Sequence, residues 1–281
     1  MEELPNWIQL WRELVEAHDW GRRQESGEEE QDVWEERART FDANVKRRWQ
    51  EPDSSRTFIA AQLAIEPEAT FLDLGAGTGA WTIFLAQRAR QVTAVDPSPA
   101  MLKVLRENVA EAGLTNVEVV EGAWPHVDVP PHDYSLCSHA MYGIPDFELF
   151  VRKLEAATLR RCYLLLRAPA PEGVMAKAAR HLWGHPHDSP NFQVAYNALL
   201  QLGIFANVLM EDSGLWDPWK SESLDVALGE VKRRLGLTGN DEHDAYLRAL
   251  LEEQLTKVQG EYVWPRGVRS ALVYWDVSEV V

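Results

Sequence analysis

The spacing of apolar positions changes near residue 69, and that change divides the chain. Before it, hydrophobic residues recur at helical intervals. Trp7, Ile8, Leu10, Trp11, Leu14 and Val15 mark one amphipathic helix, with Pro5 suited to its first turn. Trp34, Ala38, Phe41, Val45 and Trp49 form a stripe on a second, and "SSRTFIAAQLAI" (54–65) reads as a third. Between the first two lies "GRRQESGEEEQD", an acidic stretch that reads as an exposed linker or frayed helix start.

From Ala69 onward the pattern becomes short β-rich runs: "ATFLDLG", "QVTAVDP", "VEVVEG", "DYSLCSH" and "CYLLLRAP". Helical segments separate them, as expected of strands buried on both faces of a parallel sheet with crossover helices. The helix after Asp96 is well signalled. Ser98 is its N-cap, Pro99 takes the first position, Met101, Leu102, Leu105 and Val109 share a face, and Gly113 ends it. "PDFELFVRKLEAAT" (145–158) is another amphipathic helix, "APEGVMAKAARHLWGHPHDSP" a longer connection, "NFQVAYNALLQLG" a helix and "IFANVLMED" a sixth strand. Residues 213–266 then break the alternation with two helices, "SLDVALGEVKRRLGL" and "DEHDAYLRALLEEQLTKVQG", before "RSALVYWDV" closes the sheet. The expected organisation is a helical lid or cap over 1–65 and an α/β domain over 66–281, with 213–266 as a helical insert.

Composition narrows the partners. Of 281 residues, 46% are hydrophobic and 26% charged, as in ordinary globular proteins. The formal net charge of -16 weighs against nucleic acid as a partner. Lys46-Arg47-Arg48 and Lys232-Arg233-Arg234 read as solvated helix faces. Cys137 and Cys162 stand apart, outside any Cys-x-x-Cys pattern, and read as buried free thiols. With no leader pattern and no apolar run of bilayer length, the expectation is a cytoplasmic protein without a membrane partner.

The chemistry gathers at "FLDLGAGTGAW" (71–81). Glycines between a strand and a helix let a ligand approach the backbone and the free N–H groups of the helix start. Taken literally, Gly75-Ala76-Gly77-Thr78-Gly79-Ala80 also fits a dinucleotide fingerprint, which keeps an NAD-dependent oxidoreductase open. Asp73 argues otherwise, because a carboxylate two positions before the first glycine suits a cationic ammonium better than a pyrophosphate. Asp96, at the next strand's tip, can accept hydrogen bonds from vicinal ribose hydroxyls. No lysine stands in the turn, so it is not a Walker A loop.

With these residues the chain resembles the class I S-adenosylmethionine (SAM)-dependent methyltransferases. "FLDLGAGTG" is similar to that family's first motif, "VTAVDPSPAML" to the second, "VEVVEGAWP" to the third, and "DYSLCSHAMYGIPDFELFVRKL" to the fourth with its helix. The resemblance covers roughly Trp34 to Val277. It implies a Rossmann-like, seven-stranded, mostly parallel sheet whose last strand runs antiparallel between the fifth and sixth. It also implies SAM as cofactor and S-adenosylhomocysteine as product. Asp73 and the Gly75, Ala76, Gly77 and Gly79 backbone would hold the methionine part, and Asp96 the ribose. Pro97 and Met101 would pack near the adenine, with Gly122, Ala123 and Trp124 on its other side. Ser138 and His139 would lie near the sulfonium and the acceptor. Ala123 stands where relatives often carry an acid, so adenine contact falls to backbone or to stacking by Trp124.

Candidate catalytic groups are His139 and Tyr142, in a loop leaving a strand's carboxyl end, where His139 could act as general base. His181, His185 and His187 match no common zinc spacing and read as polar loop residues, with no metal expected. Trp183, Trp216, Trp219 and Trp264 either cover one another or line a substrate pocket. The insert, the "APEGVMAKAARHLWG" segment and the N-terminal helices could roof the cofactor crevice, which suits methyl transfer to a small-molecule acceptor. An RNA or protein methyltransferase using the insert for recognition, and a SAM-binding protein without catalysis, remain as alternatives.

Overall fold

The computed structural model describes residues 5–17, 32, 34–211, 218–266 and 268–277. The acidic stretch 21–31 and Trp216 lie outside them. Strands β1 (Thr70–Leu74), β2 (Gln91–Asp96), β3 (Val117–Glu121), β4 (His132–Ser138), β5 (Thr158–Ala168), β6 (Asn207–Met210) and β10 (Arg269–Asp276) form one sheet. Their order is β3-β2-β1-β4-β5-β10-β6. Strands β1 to β5 pair in parallel, and β10 pairs antiparallel with both neighbours, Tyr274 opposite Tyr163 and Leu272 opposite Leu209. This is the Rossmann-like sheet expected from the sequence.

Strand pleat sorts neighbouring side chains into two layers. Leu72 and Leu74 face a core built with Trp11, Phe147, Phe150 and Leu199, whereas Phe71 faces Ile59, Leu63, Leu85 and Tyr163. Ten α-helices are described, and their apolar faces assign them to these layers. In the first layer, α1 (Trp7–Ala17) packs with α6 (Phe147–Ala156) and α8 (Phe192–Gln201). The Trp11 indole N–H donates to Ile144 O at 2.8 Å. In the second layer, α3 (Ser54–Ile65) and α4 (Ala80–Ala86) cover the opposite face, capped at Asp53 by the hydrogen bond from Arg56 N. Helix α5 (Pro99–Glu111) follows β2, its start capped by Ser98 Oγ accepting from Met101 N. Against α5 lies α2 (Ala38–Arg48), through Ala38, Met101 and Val104.

The insert departs from the expected pair of helices. The segment 170–190, read as a connection, contains α7 (Val174–Trp183), whose Val174, Ala178 and Ala179 pack beneath α9 (Leu224–Arg234) and α10 (Asp244–Gln254). The second insert helix stops at Gln254 rather than running to Gly260. Thr256–Val258 (β8) and Glu261–Val263 (β9) instead pair as a hairpin and, with β7 (Lys220–Ser221), make a small antiparallel sheet. The reason is the turn: Gln259 and Gly260 both have positive φ, 51° and 92°, the two-residue geometry that matches strand twist.

Candidate functional site

The carboxyl ends of β1, β2, β4 and β5 meet where strand order reverses, between β1 and β4, the place where open α/β sheets bind ligands. The glycine turn leaves β1 in left-handed backbone, with φ of 68° at Gly75, 56° at Gly77 and 90° at Gly79. It is pinned from β2, because Gly75 N and Ala76 N both donate to Val95 O, at 2.8 and 3.0 Å. A Cβ at Gly75 would lie 2.1 Å from the Ala140 Cβ, so the turn and the β4 loop touch only because glycine is there.

Two carboxylates frame this turn. Asp73 is 1% exposed, and Thr82 Oγ1 donates to its Oδ2 at 2.6 Å. Burial pushes the Asp73 carboxyl up to about 7; the nearby Asp96 charge pushes the same way, while the Thr82 bond opposes both. Asp96 accepts from Gly77 N and Ser98 N, each at 2.9 Å, so it fixes the turn and the start of α5 together. Burial also raises Asp96, and Asp32 adds repulsion. Asp32 itself accepts from Ser98 Oγ at 2.7 Å and Ala100 N at 3.0 Å. Burial opposes its charge, yet these bonds hold it below the usual carboxylate range.

The other expected cofactor residues divide. Gly122 N donates to Asp96 O at 3.1 Å, which brings the third motif to the β2 tip. Pro97 and Ala123 are exposed on the rim, and Met101 is buried against Ala38, Val104 and Trp34. Ser138 is half-buried at the end of β4. Trp124 is a correction: its ring is 8% exposed within the core, its Nε1 reaches Phe150 O at 3.4 Å, and Lys153 stands over its ring at 5.3 Å. Packing beneath α6 has taken up the side chain that was expected to stack on adenine.

These residues fit SAM. A buried carboxylate with its pKa near 7 stands beside a bare glycine turn, and a cationic group there would draw it into the ionised form. The sequence reading missed Asp32, the last acid of a charge run, and it took Phe41 only as helix packing. Phe41 lies against the turn, its Cε1 3.7 Å from where a Cβ on Gly77 would stand. Phe41 reaches the turn because α2 folds onto α5, and Asp32 meets the start of α5 through its bonds to Ser98 and Ala100.

His139 and Tyr142 are brought together. His139 has a φ of 55°, and its Nδ1 lies 3.0 Å from the Tyr142 hydroxyl. That hydroxyl also accepts from Arg167 N at 2.6 Å. His139 Nε2 faces Ser270 Oγ at 3.4 Å. Burial, then the charges of Arg48 and Arg167, push His139 down to about 3. Burial pushes Tyr142 up to about 12.

Beyond Arg167 lies a pocket of about 80 Å³ between the tip of β5, α7 and the insert. Trp219 and Trp264 line it and also cover one another, ring centroids 5.8 Å apart, with Trp264 Nε1 donating to Ser221 Oγ at 2.9 Å. Trp183 packs between this insert core and the α1 layer. The three histidines are not gathered at one point. His181 stacks on Tyr246 at 3.7 Å, whereas His185 and His187 pair with each other beside Trp183 and Trp7. Cys137 and Cys162 are both free and buried. Among the described residues no helix is long and apolar enough to cross a membrane.

Residues 71–167 match the family model described as "Methyltransferase domain". An uncharacterized protein of Haemophilus influenzae is 26% identical over 236 residues, covering 82% of this chain and 84% of its own. The "Probable ribosomal RNA small subunit methyltransferase A" of Methanosphaera stadtmanae is 26% identical over 141 residues, 50% of this chain. This chain spans about half of that relative, 51% of its length. Among solved structures, the YcgJ protein of Bacillus subtilis superposes with a TM-score of 0.52 at 15% identity, over 78% of this chain and 97% of that one, which is a likeness of fold.

Proposed function

We propose that the chain, whose residues 71–167 match a methyltransferase domain, is a class I SAM-dependent methyltransferase that methylates a small-molecule acceptor by direct displacement. The cofactor, when bound, supplies a methyl group already activated on a sulfonium. The protein's own work is therefore positioning. Asp73 and the backbone of Gly75, Ala76, Gly77 and Gly79 would hold the methionine end, and Asp96 the ribose hydroxyls. Met101, Pro97, Gly122 and Ala123 would border the adenine. The acceptor's O, N, S or C nucleophile would take up that methyl group, with S-adenosylhomocysteine as the other product.

His139 and Tyr142 act on the acceptor side as positioning groups. The Tyr142 hydroxyl engages Nδ1 of His139 and so orients the ring, with Nε2 toward Ser270. Ser138, at the end of the same strand, would border the transferred methyl.

The observation that carries the small-molecule reading is the compact pocket roofed by the insert at the β5 tip, one hydrogen bond from Tyr142 through Arg167. The relative named as a ribosomal RNA methyltransferase supports a second reading, RNA methylation with the insert for recognition. The test is calorimetric titration of the full chain with SAM, NADH and a structured RNA. Binding of SAM without NADH, and without salt-dependent RNA binding, is expected. Preference for NADH defeats the family's chemistry here, and tight, salt-sensitive RNA binding replaces the small acceptor. Tight SAM binding with no methyl loss to any acceptor would make the protein a SAM-binding regulator.

A further inference from the structure

The pocket at the β5 tip has a charge opposite to that of the whole molecule. The chain carries -16, yet three guanidinium groups, Arg167, Arg234 and Arg266, line this pocket against the single carboxylate of Asp188. Two of the arginines are held in place. Arg234 Nε donates to Glu230 Oε1 at 2.8 Å, and its guanidinium lies 3.8 Å over the Trp219 ring. Arg167 Nη2 donates to Ser189 Oγ at 2.8 Å, with its guanidinium 5.2 Å over the Tyr142 ring.

Their environment leaves positive charge to be offset. Burial pulls Arg234 below the ordinary arginine range even though Glu230 opposes the shift, and the neighbouring Arg167 charge pulls the same way. A buried guanidinium with one face stacked on an aromatic ring keeps its donor edge for a planar anion, the geometry that a carboxylate matches bidentately. The remaining walls are apolar, with Trp219 and Trp264 the largest of them. The pocket volume is about 80 Å³.

Resting on the methyltransferase reading above, we propose that this pocket is the acceptor site and that the acceptor is a compact carboxylic acid with an apolar or aromatic body. Its carboxylate meets Arg167, Arg234 and Arg266, and its body lies against Trp219 and Trp264. Asp188 in the lining and Glu230 behind Arg234 offset part of this charge, and the three guanidinium groups still outnumber the two carboxylates. Arg167 joins this site to the β4 loop, because its side chain lines the pocket while its backbone N–H holds Tyr142.

The test titrates the full chain, loaded with S-adenosylhomocysteine, with benzoate, its neutral analogue benzamide, and phenyl phosphate. Benzoate is expected to bind roughly tenfold or more tightly than benzamide, and more tightly than phenyl phosphate. Arg266→Gln, on an exposed residue, and Arg234→Lys, which keeps the charge but loses the fork, should each weaken benzoate by about fivefold or more. Neither should change the affinity for S-adenosylhomocysteine. Equal binding of benzoate and benzamide, no benzoate binding, preference for phenyl phosphate, or indifference to Arg266→Gln overturns the proposal. If the nucleoside binds and benzoate does not, only this inference falls. If benzoate discriminates as expected while neither SAM nor S-adenosylhomocysteine binds, the methyltransferase reading falls and the anion pocket stands.

Discussion

The hydroxyl of Tyr142 lies 3.0 Å from Nδ1 of His139 while accepting the Arg167 backbone N–H at 2.6 Å. The imidazole is thereby held in a buried setting beside the Arg167 charge, and that setting gives it a pH dependence. His139 is pushed down to about 3 in the folded protein from its ordinary value of 6.5, by burial first and then by the Arg48 and Arg167 charges. Between those values the unfolded chain binds the extra proton. Stability therefore falls as the pH drops through about 6.5 toward 3. His139→Asn removes the titration and tolerates the positive φ. Its melting temperature should decline less steeply than that of the parent between about pH 6 and pH 4. Coincident acid limbs in differential scanning fluorimetry would show that His139 titrates normally.

Asp73 carries the opposite sign. Its carboxyl is raised from 3.8 to about 7 in the fold, chiefly by burial, so the folded state holds the extra proton. Its contribution is fully present below about pH 3.8 and is lost as the pH rises through about 7. Asp73→Asn cannot ionise. The cofactor-free variant should melt a few degrees higher than the parent at about pH 8, with no gain near pH 4. Its affinity for SAM should fall by about tenfold or more, on the order of 1.4 kcal/mol, because the ammonium loses its counter-ion. Calorimetry at about pH 8 checks both statements, and undiminished SAM affinity would remove Asp73 from the cofactor site.

Asp96 combines two tasks that one variant can separate. Its oxygens already accept from Gly77 N and Ser98 N, and ribose hydroxyls would use the remaining lone pairs. Asp96→Ala should weaken SAM by about thirtyfold or more while costing roughly 1–2 kcal/mol of fold stability, since two backbone donors lose their partner. Circular dichroism with a titration separates these effects. A stability loss at unchanged affinity would make Asp96 a brace for the turn and nothing more.

The sequence was most readable where the chain is buried on both faces. The runs around Leu72, Ala94, Leu136 and Leu164 are apolar because helices cover both sides of the sheet, so strand positions and order could be anticipated. The small insert sheet could not be found in that way. Thr256, Lys257 and Val258 are all exposed, and three residues are too few to display alternation. Asp73 and Asp96 were legible because a glycine turn marks their place. Arg234 was not, because it ends a Lys-Arg-Arg run that looks like a solvated helix face. Only the packing of α9 against Trp219 takes it inside. Trp124 shows the converse error: a residue next to a motif need not point at the motif's ligand.

The contact between Gly75 and Ala140 offers the sharpest test of how the turn meets the β4 loop. A Cβ at Gly75 would lie 2.1 Å from the Ala140 Cβ, with φ at 68°, so Gly75→Ala carries both a clash and backbone strain. The loss should be on the order of 2–4 kcal/mol, because β1 and β4 are adjacent, paired strands and neither can retreat cheaply. Adding Ala140→Gly removes the clash and leaves the strain. The double variant should therefore recover all but about 1 kcal/mol, and the coupling between the two changes should be large and favourable. Denaturant melts of the four proteins in the cycle measure that coupling. Simple additivity would mean that the loop bearing His139 and Ala140 yields without cost, and the turn would then not be what holds His139 in place.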